Sequence, residues 1–324
     1  MKPQRIAYLF YNPGSGQGDP GQELATIYSK LEPEIPIVLV ESKKDRDLTK
    51  QCHEMIEMIL NRPKSASSML EPIAVVSGGD GTVSAMANAV INTGIPFGVI
   101  PRGTANGFAV ALGIPTELEA ACDNLRKGTT RLVDAATCSP GLGNSMILLA
   151  GIGWEANMVQ TAQGLFKQVF GQFAYIWGGV KGTLSPEPFK CKLKVNGGEL
   201  TKYVKTHSIT VAAVAPAGSI SAQGTGKVIP DDGLLDVTIQ TCEDDVLKSM
   251  DAMAHLMTAA LINEPTKTDT VMHLRAKEIE IKCKSKQHVV VDGEVLPRRA
   301  KRFHYKVIPE ALNVIAPPPP VERR

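Results

Sequence analysis

The sequence predicts an α/β domain, a parallel sheet with flanking helices, followed by a second, β-sandwich-like domain. Three observations predict it. Short apolar runs rich in β-branched residues alternate with helix-periodic segments from residue 5 to residue 127, the pattern of a parallel sheet wrapped by helices. Three of those runs end in glycine-bearing loops, NPGSG, GGDGT and PRGTANG. From Arg131 the pattern changes to short alternating strands joined by turn residues, as in a sandwich.

Arg5 to Tyr11 (RIAYLFY) reads as the first strand and runs into Asn12, Pro13, Gly14, Ser15, Gly16, Gln17 and Gly18. Taken alone, that loop suits a plain turn as well as a phosphate contact. Gln22 to Leu31 reads as a helix and Ile35 to Val40 as a strand, with a solvated charged turn from Lys43 to Asp47. Leu48 to Leu60 has helical spacing through Cys52, Met55, Ile56 and Ile59, and its His53 reads as a surface histidine. Asn61 to Met69 is a polar loop.

Residues 71–82 (EPIAVVSGGDGT) organise the chain. Ile73 to Val76 is a continuous apolar run of the kind buried on both faces of a parallel sheet. Gly78, Gly79 and Gly81 leave backbone N–H groups uncovered, so a bulky anion can approach the main chain. Asp80 stands among them, where a carboxylate can bind a phosphate-bound Mg²⁺ or orient a hydroxyl. A helical pattern begins at Thr82 and continues through Val83, Met86, Ala87, Val90 and Ile91. Strand, glycine turn and helix together aim a helix N-terminus at phosphate. Ile95 to Ile100 is the next strand and leads into Pro101, Arg102, Gly103, Thr104, Ala105, Asn106 and Gly107. Phe108 to Leu112 and Thr116 to Lys127 read as helices. Ligands of such sheets bind beyond the C-terminal ends of the strands, where all three glycine loops fall. The sequence thus predicts an α/β nucleotide-binding domain.

Composition sets the outer limits. A chain of 324 residues is expected to form one or two domains. Its 43% hydrophobic and 21% charged residues are those of a globular protein. A net charge of +2 without an aromatic-plus-basic signature argues against nucleic acid as a partner. The six cysteines are scattered with no CxxC pair, so they read as reduced thiols of a cytoplasmic chain. The N-terminus carries no signal-peptide pattern, and no apolar run nears the ~20 residues that span a bilayer.

In the second half, Leu132 to Thr137 and Ser145 to Ala150 read as strands around a PGLGN turn. Glu155 to Val180 reads as largely helical, with Phe166, Phe170, Phe173 and Trp177 on one face; such a stripe suits a core or the wall of an acyl-chain cleft. Lys190 to Val195, Lys202 to Tyr203 and Ser208 to Val214 are short strands. Ile229 to Asp236 joins a Pro-Asp-Asp-Gly turn to a strand. Val246 to Ile262 is an amphipathic helix whose Met250, Met253 and Met257 suit core packing. Glu278 to Cys283 and His288 to Val291 are strands, and Asp292-Gly293 between hydrophobics is a hairpin signal. Arg298, Arg299, Lys301 and Arg302 form a charge run that suits a solvated face or contact with anionic headgroups. Phe303 to Ile308 is a final strand.

NPGSG, GGDGT and PRGTAN, in this order and spacing and followed by PDDGLLD at 230–236 and VDGE at 291–294, resemble the catalytic-domain family of diacylglycerol and sphingosine kinases. The closest resemblance is to its bacterial soluble diacylglycerol kinase-type lipid kinases. It implies an ATP-dependent lipid kinase with an N-terminal nucleotide domain and a C-terminal β-sandwich. The ATP loop falls on Gly78, Gly79, Asp80, Gly81 and Thr82, with Thr104 as a further contact and a residue near the second strand's end on Glu41 or Ser42. Asn12, Gly14, Ser15, Gly16 and Asn106 complete the candidate cofactor-binding set. A structural Mg²⁺ falls on Asp232 with carbonyls from Ile229 and Leu234. The catalytic candidates are Asp80, Asp292 and Glu294, with Glu294 favoured as the base and Asp292 as orienter. The chain departs from the family pattern at Ser84 and Ala85, where Asn-Glu is usual, and at Gly107, where Asp is usual.

The resemblance implies ATP and Mg²⁺ as cofactors and a lipid substrate at a membrane surface, with peripheral association; a homodimer is one possible assembly, and the sequence leaves the oligomeric state open. The alternatives are a kinase of a soluble substrate, since NAD kinases also carry GGDGT, and a non-catalytic regulator of kinase ancestry, motivated by Ala85 and Gly107. The expected domains are 1–130 with 305–316 for ATP, 131–304 for the lipid, and a disordered tail at 317–324.

Overall fold

A computed structural model describes residues 4–16, 18–62, 70–141, 145–157, 187–216, 228–241 and 271–318. The stripe Phe166, Phe170, Phe173 and Trp177, the helix carrying Met250, Met253 and Met257, Gln17, and the tail from 319 lie outside the described residues. The chain groups into two compact units, Met1–Val133 with Glu310–Arg324, and Asp134–Pro309.

The first unit is a doubly wound α/β layer structure. Its strands are β1 (Arg5–Tyr11), β2 (Ile37–Glu41), β3 (Glu71–Gly78), β4 (Pro96–Pro101) and the last residues of β15 (Ala300–Ala316). They lie in the order β2-β1-β3-β4-β15, and every neighbouring pair is parallel. Ile73 to Gly78 are buried throughout, as a central parallel strand covered on both faces must be.

Helices α1 (Pro20–Leu31), α2 (Leu48–Leu60), α3 (Asp80–Val90), α4 (Gly107–Ala111) and α5 (Leu118–Lys127) complete the layers. Asp19 and Asp47 cap α1 and α2, each accepting a first-turn N–H at 2.8 Å, which satisfies donors that a helix start otherwise leaves open. Helix α1 packs with α5, and α2 with α3. Ile27, Leu31, Cys122 and Leu125 join Leu9, Ile73 and Val75 in one fully buried cluster. The strand order reverses between β1 and β3, the switch point at which ligands of such sheets bind. Helix α3 starts at Asp80, two residues before the start expected at Thr82, so the Asp80 carboxylate sits in the first turn, where the helix dipole favours it.

In the second unit, β6 (Ser145–Met146), β7 (Leu149–Gly153), β8 (Phe189–Val195), β9 (Val204–Ala212), β12 (Glu278–Gln287), β13 (Val289–Val291), β14 (Glu294–Val295) and most of β15 meet β5 (Thr129–Ser139), β10 (Leu235–Thr241) and β11 (Val271–Ala276). The path β14-β13-β7-β9-β8-β12-β15 is antiparallel at each step, and β10 joins β9 to β11. Cys191, Leu193, Ile279, Ile281, Phe303 and Tyr305 face one shared core, and Lys192, Glu280 and His304 between them take the other face, the period-two pattern of a half-buried strand.

Two strand expectations are corrected. Residues 145–150 are not one strand. They break between β6 and β7 because the N–H groups of Ile147 and Leu148 bond the Asp292 carboxylate instead of a neighbouring strand. Lys202 and Tyr203 precede β9, which begins at Val204. The fold class agrees with the sequence reading: an α/β layer unit and a β-sandwich-like unit.

Candidate active site

Four strand-end segments of the first unit converge on Asn12. Its Nδ2 donates to Thr82 Oγ1 at 2.9 Å, and its Oδ1 accepts from Gly14 N at 3.0 Å and from Ser42 Oγ at 3.2 Å. Its carbonyl accepts from Arg102 Nη1 at 3.0 Å. One side chain and its own carbonyl therefore tie NPGSG, GGDGT, the end of β2 and PRGTAN together. Of the two residues open at the end of β2, Ser42 joins this cluster, whereas Glu41 is exposed.

Arg102 was not singled out from the sequence, yet it closes the cluster from below. It is 7% exposed, lies 4.5 Å over the Tyr11 ring and pairs with Glu23 of α1. Burial raises the Tyr11 hydroxyl above its ordinary range, and the Arg102 charge opposes that rise. The available signal was an arginine inside a glycine loop, with Tyr11 and Glu23 at the ends of elements that flank it.

Asp80 uses both oxygens on the main chain. Oδ2 accepts from Asn106 N at 3.0 Å and Oδ1 from Gly107 N at 2.7 Å. Asn106 takes a left-handed φ of 49°, and its side chain closes on Gly103, accepting from N at 2.7 Å and donating to O at 2.9 Å. Asp80 and Asn106 thus shape the third loop, and Thr104 is exposed on it. The departure at Gly107 leaves this contact intact, because Asp80 reads the backbone N–H.

The loops fit a phosphate chain. Gly79 caps α3 with no side-chain hydrogen bond, so first-turn amides of α3 remain for an anion. A Cβ on Gly78 would lie 2.6 Å from Thr82 Cβ, and one on Gly103 would lie 3.0 Å from Gly79 Cα. Glycine at 103 allows the two loops to approach each other, and glycine at 78 leaves room for the Thr82 side chain. Gly14, Ser15, Gly16 and Gly81 are exposed or half-buried on the same loops.

In the second unit VDGE is a hairpin. Val291 pairs with Glu294 across it, and Asp292 and Gly293 take φ of 48° and 86°, the positive values a two-residue type I′ turn requires. The two carboxylates have different surroundings. Asp292 is 7% exposed and accepts from the N–H groups of Ile147 (3.0 Å), Leu148 (2.8 Å) and Leu149 (3.2 Å). Glu294 is exposed, and its carboxylate has no hydrogen-bond or ion-pair partner among the described residues.

The turn expected to hold Mg²⁺ is organised by other means. Asp134 accepts from Gly233 N at 2.7 Å and donates its own N–H to Pro230 O at 2.7 Å. Asp232 accepts from Leu234 N at 3.1 Å and pairs with the Arg275 guanidinium, which also lies 3.3 Å from Asp236. Among the described residues no cluster of three metal-ligating side chains occurs. Both oxygens of Asp232 are engaged and a cation already balances it. The arrangement therefore does not fit Mg²⁺ on Asp232, Ile229 and Leu234, and no chemistry is routed through one there.

A doubly wound unit with glycine loops at its switch point shares this chain with an antiparallel sandwich-like unit. Residues 6–138 match the diacylglycerol kinase catalytic domain, and residues 149–316 match the YegS C-terminal NAD kinase beta sandwich-like domain. The chain belongs to the diacylglycerol kinase catalytic-domain family. It is 36% identical over 313 residues to an uncharacterized protein of Synechocystis sp., covering 97% of this chain and 70% of that one. It is 25% identical over 301 residues to the diacylglycerol kinase of Bacillus subtilis, covering 89% of each. Among solved structures, a diacylglycerol kinase from Bacillus anthracis shares the fold, with a TM-score of 0.70, 22% identity and 98% of each chain covered. No helix among the described residues is long and apolar enough to cross a membrane.

Proposed function

We propose that the protein is an ATP-dependent lipid kinase that transfers the γ-phosphoryl group of ATP to the hydroxyl of diacylglycerol or a related lipid at a membrane surface. The observation that carries this reading is the joining of NPGSG, GGDGT and PRGTAN by Asn12 at the switch point of a sheet in this family. ATP, with Mg²⁺ on its phosphates, supplies the phosphoryl group when bound. Gly78, Gly79, Gly81 and Thr82 would receive the phosphates through backbone N–H groups, with Ser15 and Thr104 as hydroxyl donors. Asp80 and Asn106 hold the third loop in place. Such positioning carries most of phosphoryl transfer, which asks little covalent chemistry of the protein.

Glu294 is the general base of this reading. A lipid hydroxyl is not ionised near neutral pH, so a carboxylate must accept its proton as the bond to phosphorus forms. Asp292 is engaged by three N–H donors and acts as a positioning residue that fixes the hairpin. The test is transfer from labelled ATP to a panel of hydroxyl lipids in mixed micelles, with NAD as a soluble acceptor. Label is expected in a lipid and not in NAD, and Glu294→Gln is expected to reduce turnover by roughly 1,000-fold with ATP binding retained. Label in NAD alone, or wild-type turnover in Glu294→Gln, overturns the reading.

A further inference from the structure

The outward face of β8, β12 and β15 has two unlike halves. In one half the charges alternate. Lys194 stands opposite Glu280 and pairs with it at 3.1 Å, and Glu278 stands opposite Lys306 with His304 Nε2 2.7 Å away. In the other half Lys192 stands opposite Lys282, and Lys282 opposite Arg302, so one row across three strands is wholly positive. Lys190, one strand position beyond, faces Lys205 of β9. Like charges directly opposite one another destabilise a sheet. Lys282 and Arg302 are exposed, with no carboxylate partner among the described residues.

The same half carries an aromatic ring. Tyr203, 48% exposed, has Lys192 Nζ at 4.9 Å and Lys284 Nζ at 4.5 Å from its ring centroid. Leu200, three residues before it, is equally exposed at 48%. The row alone places a sheet-destabilising arrangement where a mixed row would serve folding better, and the neighbouring half shows that this sheet can make mixed rows.

We propose that the Lys192–Lys282–Arg302 row, with Tyr203, is a docking surface for an anionic lipid bilayer. It names the contact surface of the lipid-kinase reading and takes its sense from that reading. The chemistry favours a bilayer. Three strands at ~4.8 Å spacing make a flat strip, which suits a plane of headgroups better than a nucleic-acid backbone that needs a groove. Tyrosine is a residue of the membrane–water interface, with its ring at headgroup level. Cations held against a negative leaflet lower the free energy additively and fade with salt.

The experiment is co-sedimentation of the full chain with phosphatidylcholine vesicles, with and without phosphatidylglycerol. The triple variant Lys192→Gln/Lys282→Gln/Arg302→Gln is expected to partition onto the anionic vesicles on the order of 100-fold less than wild type. Its thermal midpoint should be unchanged or higher, since a like-charge row has been removed. The control Lys194→Gln/Glu280→Gln should bind as wild type. Turnover on a water-dispersed short-chain diacylglycerol should be the same in all three proteins. Anionic-vesicle binding lost in the triple variant supports the surface even if no lipid is phosphorylated by any of the proteins, and in that case only the kinase reading falls. Equal binding by wild type and triple variant, equal binding to neutral and anionic vesicles, or tighter binding of wild type to duplex DNA than to anionic vesicles at the same salt overturns it.

Discussion

Asp80 and Asp292 were both expected to be catalytic, and each does a similar job in its own unit. Asp80 accepts main-chain N–H groups of Asn106 and Gly107, and Asp292 those of Ile147, Leu148 and Leu149. The difference lies in burial. Asp80 is half-buried and clamps a largely half-buried loop, whereas Asp292 is 7% exposed and holds a break between two strands. A motif carboxylate can therefore be required for the shape of a site without touching the reactants. Of the three acids expected to do chemistry, only Glu294 presents a carboxylate with no partner among the described residues.

The comparison separates most sharply in kinetics. Asp80→Ala releases the PRGTAN loop from GGDGT, and a displacement of about 1 Å at a phosphate contact lowers turnover by roughly 100-fold. The fold should survive, because the clamp is at the rim of the sheet and not in its core. Steady-state turnover at saturating Mg²⁺, with circular dichroism for the fold, checks both parts. Wild-type turnover in Asp80→Ala would mean that the loop holds its shape without the clamp.

Asp292→Ala should show the opposite balance. It leaves the N–H groups of Ile147 and Leu148 buried and unpaired, at about 1–3 kcal/mol per group. A lower denaturation midpoint is therefore the primary effect, amounting to roughly 3 kcal/mol of unfolding free energy. Glu294→Ala, one strand position beyond the turn, should leave that midpoint where it is. Equal stability of Asp292→Ala and wild type would remove the clamp and return Asp292 to the chemistry.

These two carboxylates also mark the boundary of what the sequence could convey. Strands, helices and glycine loops were legible because periodicity and backbone freedom are local properties. The apolar run Ile73 to Val76 and the glycines after it suffice to place β3 and a phosphate-type turn. The partners of the acids were not legible. Asp80 reaches across 26 residues to Asn106, and Asp292 across 145 to Ile147; no spacing rule announces either. Asn12 looked like one letter of a turn, and its role as the link among four segments exists only once β1, β2, β3 and β4 are side by side. Arg102 stands in a glycine loop, and the Tyr11 ring and Glu23 carboxylate that bury it come beside it only in the fold.

The smallest expected effect concerns the turn at 230–234, where a metal was expected and Arg275 stands. If the guanidinium supplies the cation, Mg²⁺ and a chelator should leave the thermal midpoint of the nucleotide-free protein unmoved. Arg275→Gln removes that charge from both Asp232 and Asp236. Among the described residues Asp236, 2% exposed, then keeps His273 at 3.1 Å as its ion-pair partner, so the variant should melt lower. With Arg275 gone, Asp232 and the carbonyls around it become an oxygen-only donor set of the kind Mg²⁺ accepts. The variant should then regain part of its midpoint as Mg²⁺ is added, by about 1.4 kcal/mol at ten times the dissociation constant. Replacing Asp232 by Ala in the Arg275→Gln background should weaken the response, since that carboxylate would be a charged ligand of the incoming ion. A wild-type midpoint that rises with Mg²⁺ and loses the rise in Asp232→Ala would reverse the assignment, because the metal would then compete successfully with a guanidinium already in place.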